Sequence, residues 1–374
     1  MNLSNISLLF EAFRQLQWQN LVMIVVGAIF IFLAIKKDYE PVLLLPIGFG
    51  AIVTNLPLTG IFEEEGFLRI LYNAGIMTEL FPLFIFIAVG AMTDFGPLLE
   101  NPKMALLGAA GQFGIFATLM LALYLGFPLN QAASIGIIGA IDGPTAIYVS
   151  SKLAPELLGP IAVCAYSYMS LVPVIKPPVV RLLTSKKERS IKMAYSVKPV
   201  SKTVRIIFPI AVTIVVSLIA PKASPLITAL MFGNLIRESG AVEILSETAQ
   251  HELSGLVTLF LGIVVGATMN GVDFLRVETL MILGLGLFAF SLDTVGGIFF
   301  GKIMNLFSGG KFNPMIGAAG DSAFPMSSRI IHRMGMAEDY ENFLLMHAMG
   351  ANAAGQLGSV MAGGVVLALL AGIM

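Results

Sequence analysis

The chain has 374 residues, 57% of them hydrophobic and only 12% Asp, Glu, Lys or Arg. Soluble domains carry about 25% charged residues, so a mean hydropathy of +0.88 specifies an integral membrane protein. The net charge of −1 excludes a basic nucleic-acid footprint. A lone cysteine, Cys164, excludes a disulfide framework, and His251, His332 and His347 share no zinc-ligand spacing.

No positive segment precedes an apolar run at the amino terminus, so insertion is expected to rely on the spans themselves rather than on a cleaved signal. Charge-free stretches then follow at Leu21–Ile35, Pro41–Phe62, Leu80–Thr93, Met104–Ile141, Leu157–Ile175, Ile206–Pro221, Ala223–Ile236, Leu253–Val272, Thr279–Leu292 and Phe343–Met374. A crossing helix needs about 20 apolar residues. Several of these runs are short and rich in Gly and Pro, while Met104–Ile141 and Phe343–Met374 have room for more than one element. Alternating ten-residue segments of the β-barrel kind are absent from the sequence. The expected fold is therefore all-α and polytopic.

The chain repeats itself. Gly90-Ala91-Met92-Thr93-Asp94-Phe95 returns as Gly266-Ala267-Thr268-Met269 with Asp273-Phe274. Gly139-Ala140-Ile141-Asp142-Gly143-Pro144, ending in Ser150-Ser151, returns as Gly317-Ala318-Ala319-Gly320-Asp321-Ser322, ending in Ser327-Ser328. Pro41 through Gly50 matches Pro225 through Gly233 more loosely. All three recur in order at roughly half the chain length, as expected of a duplicated transporter core. Each half then holds about five crossings and one Gly/Pro-broken segment, near residues 131–151 and 312–328. With those segments read as re-entrant hairpins, sixteen Lys/Arg fall on one side, Lys36, Lys103, the Lys186–Arg205 loop and Arg329 among them. Only Arg14, Arg69, Lys152, Lys222 and Arg276 fall on the other, in line with the positive-inside rule. Five crossings per half make the repeats inverted, with both termini outside the cytoplasm. The expected organisation is an interfacial segment at 1–18, a first repeat at 19–183, a basic cytoplasmic loop at 184–204 and a second, inverted repeat at 205–374.

Asp142 follows the longest charge-free run, and a bare carboxylate at that depth needs a cation or donors. Gly143 and Pro144 break the helix beside it, freeing carbonyl oxygens that suit a hard cation such as Na⁺; helix capping is the simpler role. Asn313, Gly317, Asp321, Ser322 and Pro325 build the matching break, whose chemistry is that of ligands or of turns. Asp321 lies either in the site or at an exposed hairpin edge. Arg329 faces the cleft, pairs with Asp142, or anchors at the interface. Asn352, in a small-residue stretch, is a ligand or packing glue. Tyr166 and Tyr168 are proton-relay phenols or interface tyrosines, and Lys176 is expected to snorkel to the cytoplasmic interface. No nucleotide motif is present.

The segments GAIDGPTAIY (139–148), YSYMSLVP (166–173) and NPMIGAAGDSAFPMSSR (313–329) make the chain similar to the β subunit of biotin-dependent, Na⁺-pumping decarboxylases. That family acts on oxaloacetate, methylmalonyl-CoA or glutaconyl-CoA. The resemblance runs over essentially the whole chain. It implies a bacterial cytoplasmic-membrane translocase that decarboxylates carboxybiotin, consumes a proton and exports Na⁺. The partners it implies are a carboxyltransferase α subunit, a biotin carrier subunit that presents the carboxybiotin, a small membrane-anchor subunit and further copies of the chain. Carried over by position, the family's functional residues fall on Asp142, Tyr168, Asn313, Gly317, Ser322, Arg329 and Asn352. Asp142, Asn313, Gly317, Ser322 and Asn352 are then the expected Na⁺ set. Ser322, Tyr168 and Arg329 are expected to form a second ion site or proton route, with Ser322 and Arg329 at the carboxybiotin pocket. Asp321 departs from the pattern, because an uncharged residue is expected there in the oxaloacetate type. The compact length fits an acyl-CoA enzyme better than an oxaloacetate one. The competing reading is a Na⁺-coupled secondary carboxylate transporter, which needs no partner; a bare channel ranks third.

Overall fold

Prolines and left-handed residues set many of the helix ends. A computed structural model describes residues 11–194 and 200–370. The first half of the 1–18 segment, Lys198 of the basic loop and the last four residues of the final run lie outside the described residues. Every regular element described is helical. The main ones are α1 (Trp18–Lys37), α2 (Pro41–Thr54), α3 (Phe67–Met77), α4 (Leu80–Met92), α5 (Pro102–Tyr124), α6 (Leu129–Gly136) and α7 (Gly143–Leu153). They continue with α8 (Leu158–Leu183), α9 (Lys202–Ile219), α10 (Ser224–Ser239), α11 (Glu243–Ala267), α12 (Val277–Phe307), α13 (Met326–Glu338) and α14 (Leu345–Leu370). Seven helices among the described residues are long and apolar enough to cross a membrane, and α3 with α4, bent by 61°, makes an eighth. The protein is a multi-pass membrane protein.

Asp38, in the left-handed region, ends α1, and Pro41 at the first turn of α2 starts the next helix at once. The two charge-free runs that end at Ile175 and Leu292 are not the ends of helices. α8 continues through Lys176 to Leu183, and α12 continues through Asp293 to Phe307. Both charges are buried. The snorkelling expected of Lys176 is therefore overturned, since its ammonium has a carboxylate, a carbonyl and a hydroxyl around it inside the protein.

The packing crosses between the two halves of the sequence. α2 lies against α11, and α10 against α4. A methyl group added at Gly50 or Gly266 would sit 2.1 or 2.0 Å from the carbonyl oxygen of Ile263 or Ile47. At Gly90 and Gly233 it would sit 1.9 Å from those of Leu230 and Ile87. These are the repeated glycines: Gly90 matches Gly266, and Gly50 matches Gly233. The matched helices α2 and α10 thus take the same close-packed place, each beside a helix of the other half. Asparagines finish both contacts. The Asn55 amide donates to Ala51 O at 2.8 Å and Met269 O at 2.7 Å, and the Asn234 amide to Thr93 O at 3.0 Å. Without lipid-excluded water to drive them together, such helices depend on backbone approach and interhelical hydrogen bonds.

Two interrupted segments lie within this frame. α6 passes into a 3₁₀ turn at Ile137–Ala140, the chain breaks at Ile141 and Asp142, and α7 departs. The later segment is a 3₁₀ helix at Pro314–Ala319, an irregular stretch at 320–325, and α13. α5 backs the first and α12 the second. A methyl at Gly139 would meet Gly114 backbone at 2.7 Å, and one at Gly317 would meet Gly297 O at 1.8 Å.

Candidate functional site

Ile141 holds a φ of 55°, a left-handed conformation that costs a β-branched residue energy. That kink stops the 3₁₀ turn and presents Asp142 as the N-cap of α7, with Gly143 and Pro144 as its first residues. The Asp142 carboxylate accepts from Thr145 N at 3.3 Å, Thr145 Oγ1 at 2.6 Å and Ser359 Oγ at 2.8 Å. It is 5% exposed and has no ion pair among the described residues. Capping and a site at membrane depth are thus the same arrangement here: hydroxyls and one amide hold a carboxylate without supplying a positive charge.

α14 joins the two breaks along one face. Asn352, Gln356, Ser359 and Gly363 fall at spacings of four, three and four, so they share one stripe. Ser359 reaches Asp142. The Gln356 amide donates to Ser322 O. Asn352 Nδ2 donates to Asp321 O at 2.7 Å, and its Oδ1 has no hydrogen-bond partner among the described residues. Ser322 Oγ lies 2.9 Å from Ala140 O and 3.2 Å from Gly355 O, within donor reach of both. Through that hydroxyl the two interruptions meet directly. Tyr166 faces Gly143, where an added methyl would lie 2.4 Å from its ring, and its hydroxyl is buried without a partner among the described residues.

Of the expected set, Asp142 is held by Thr145 and Ser359, Ser322 stands between the two breaks, and Asn352 contacts Asp321 and not Asp142. The polar stripe on a helix of small residues was a readable signal for Gln356 and Ser359. The other expected residues lie elsewhere. Asn313 caps its own 3₁₀ helix through Met315 N at 3.0 Å, and its amide donates to Arg189 O at 3.0 Å and Ile191 O at 2.9 Å. Its oxygen is thus spent on backbone, and it is not in the Asp142 cluster. Gly317 is a backbone contact with Gly297. Tyr168 donates to Leu283 O at 2.7 Å and packs on Phe290, so Tyr166 is the phenol beside the break. Arg329 is exposed, with Glu40 within reach of its charge. Asp321 is fully buried, not at an exposed edge, and is paired with Lys176.

A loop at 184–194 straps the second break from outside. Arg189 pairs with Glu338 at 2.6 Å, and the Asn342 amide donates to Arg189 O at 2.9 Å. Lys192 pairs with Asp339 at 2.9 Å and Glu341 at 2.7 Å. Hydrogen bonds from Lys192 hold both carboxyls below their ordinary values, and those same bonds hold Lys192 above its own.

Residues 19–370 match the family model described as the Na⁺-transporting oxaloacetate decarboxylase beta subunit. The chain is 51% identical to the glutaconyl-CoA decarboxylase subunit beta of Acidaminococcus fermentans, covering 97% of this chain and 96% of that one. It is 52% identical to the methylmalonyl-CoA decarboxylase subunit beta of Veillonella parvula, covering 94% and 93%. With the oxaloacetate decarboxylase beta chain of Klebsiella pneumoniae the identity is 46% over an alignment of 407 residues, covering 92% and 94%.

Proposed function

Because the chain belongs to the family of Na⁺-transporting decarboxylase beta subunits, we propose that it couples decarboxylation of carboxybiotin to export of Na⁺ across a bacterial cytoplasmic membrane. The observation that carries this is the Asp142 carboxylate, buried among hydroxyls with no cationic partner among the described residues, where two interrupted helices meet. A carboxylate left uncompensated at that depth calls for a mobile cation. Asp142 and the free Asn352 Oδ1 are oxygen donors of the hard kind that suit Na⁺, and Ser322 stands between the breaks. Na⁺ is the cargo here. Asn313 and Gly317 serve the same site by fixing the second break, and Arg329, exposed on α13, is available to an anionic carboxybiotin presented by another chain.

The exchanged pairing of α2 with α11 and α10 with α4 supports reading the halves as inverted repeats, each with a re-entrant hairpin, and alternating access follows naturally from such a core. A soluble carboxyltransferase loads biotin on a carrier subunit, and the β subunit takes over from there; loss of CO₂ leaves biotin needing a proton, which the reaction consumes. An acyl-CoA enzyme is the better partner for this chain. The relatives of that type are 50–52% identical, against 46% for the oxaloacetate decarboxylase beta chain of Klebsiella pneumoniae.

The test is radioactive Na⁺ uptake into inverted vesicles containing the purified complex, with methylmalonyl-CoA, glutaconyl-CoA or oxaloacetate, each with and without avidin. Uptake that needs one substrate and stops with avidin is expected. Avidin-insensitive uptake driven by a carboxylate gradient would replace the pump with a secondary transporter.

A further inference from the structure

Asp293 sits in the middle of α12 and is only 2% exposed. Its Oδ1 has no hydrogen-bond partner among the described residues. One turn further on, Gly297 touches the backbone of the second break. From the other side Gly114 of α5 closes on Asp293 itself, since a methyl there would lie 2.9 Å from the Asp293 amide nitrogen. The carboxyl is thus held in the transport core, between the helices that back the two breaks.

The charges that act on it are those of Asp321 and Lys176. Those two groups are already satisfied by each other and their surroundings. An ammonium has three donors, and the three on Lys176 go to Asp321 Oδ2, Ala318 O at 2.6 Å and Ser327 Oγ at 2.8 Å. Asp321 Oδ2 also accepts from Ser327 Oγ at 2.8 Å, and Oδ1 from Ala323 N at 3.1 Å and Asn352 Nδ2 at 3.3 Å. Two carboxylates and one ammonium leave one negative charge in excess, and it falls on the group with no donor. The remaining titratable groups on elements packed against α12 do not neutralise it. α8 adds Cys164, Tyr166 and Tyr168, with Arg181 exposed near its end, α5 carries Lys103 and Tyr124 exposed at its ends, and α6 has none. Asp142 lies two residues beyond the 3₁₀ turn at Ile137–Ala140 and belongs to its own cluster.

A metal ion would need several oxygens, but those of Asp321 are engaged. A proton needs one. We infer that Asp293 is a protonation site of the transport core, carried as the neutral acid beside the hydrogen-bonded Lys176–Asp321 pair and separate from the Asp142 cluster. Its carboxylate takes H⁺ from hydronium: one carboxyl O–H bond forms, one hydronium O–H bond breaks, and a water molecule is released. That this proton is used in turnover rests on the pump reading above; the protonation itself does not.

Infrared difference spectroscopy of the purified complex in saturating Na⁺, in H₂O and D₂O at neutral pH, tests it. The wild type is expected to show a carboxylic-acid carbonyl band that shifts in D₂O. Asp293→Asn should remove that band. Asp321→Asn should remove it as well, because Lys176 then takes Asp293 as its counter-ion, while Asp142→Asn should leave it in place. Absence of the band in the wild type, or its persistence in either of the first two variants, overturns the assignment. Should Asp293→Asn fail to assemble, Asp293→Glu decides: the band should move in frequency with that substitution, and an unmoved band overturns the assignment. If vesicles show no substrate-driven Na⁺ uptake while the band follows Asp293, the pump reading falls and the protonation site stands.

Discussion

The two breaks each bury an aspartate, and they treat it in opposite ways. Asp142 is surrounded by two hydroxyls and a backbone amide. Asp321 is locked to Lys176 and has all its acceptor capacity filled. Hydroxyls and amides orient a carboxylate without cancelling its charge, so the first break is left open to a mobile cation. An ammonium cancels it for good, so the second break is a fixed strut. Matching sequence in the two halves thus carries one aspartate without an ionic partner among the described residues and one aspartate in an ion pair.

Substitutions that exchange these roles test the contrast. The largest effect is expected from Lys176→Met, which strands Asp321; breaking a buried pair from one side costs about 3–5 kcal/mol. Thermal unfolding of the detergent-solubilised protein should show that loss, and Lys176→Met with Asp321→Asn should recover most of it. At the other break, Asp142→Asn removes a charge that has no fixed partner, so the fold should survive and the Na⁺ response should not. A ligand present at 100 times its Kd stabilises by about 2.7 kcal/mol. Wild type should therefore melt higher in Na⁺ than in a large organic cation, and Asp142→Asn should melt alike in both. Equal Na⁺ stabilisation in the variant would remove Asp142 from the site.

Smaller effects probe the frame that carries both breaks. Gly90→Ala and Gly266→Ala each push a methyl against a carbonyl and should cost about 1–3 kcal/mol, the usual range for overpacking. Near-equal losses in the melting assay would support equivalent roles, and a one-sided loss would count against them. Least affected will be the 184–194 strap. Asp339 and Glu341 have lowered values, so their contribution is in place above the ordinary carboxylate range and is lost as pH falls through the lowered values. Lys192 has a raised value, so the same contribution persists past the ordinary lysine range on the alkaline side. With intrinsic exchange divided out, the protection of the amides at 191–193 should fall in acid, and Lys192→Ala should abolish that pH dependence.

What the sequence made legible follows the same physics. Asp142 stood out because a long run without charge preceded it, and the breaks were visible as Gly and Pro in repeated positions. Lys176 and Asp293 are less legible, because each is a charge that bounds an apolar run in the sequence although its helix continues past it. Only the fold shows that Lys176 meets Asp321 across 145 residues of chain. The resemblance puts Asn313 with the cation site and its own chemistry leaves ligand or turn open, whereas its side chain turns to the strap. Tyr166 and Tyr168 are two apart on one helix, and nothing in the spacing said which one would face Gly143.

The exchanged helices also bear on how the protein is made. α2 leaves the ribosome some two hundred residues before α11, its closest neighbour, and α4 likewise waits for α10. During that interval their glycine faces have only lipid or the translocation machinery against them. Neither half of the polypeptide is then a self-sufficient folding unit, and the last step of assembly is the insertion of late helices between early ones. Two separately synthesised halves should need each other to escape degradation, because what joins them is close packing of backbones and not the peptide link between residues 183 and 205.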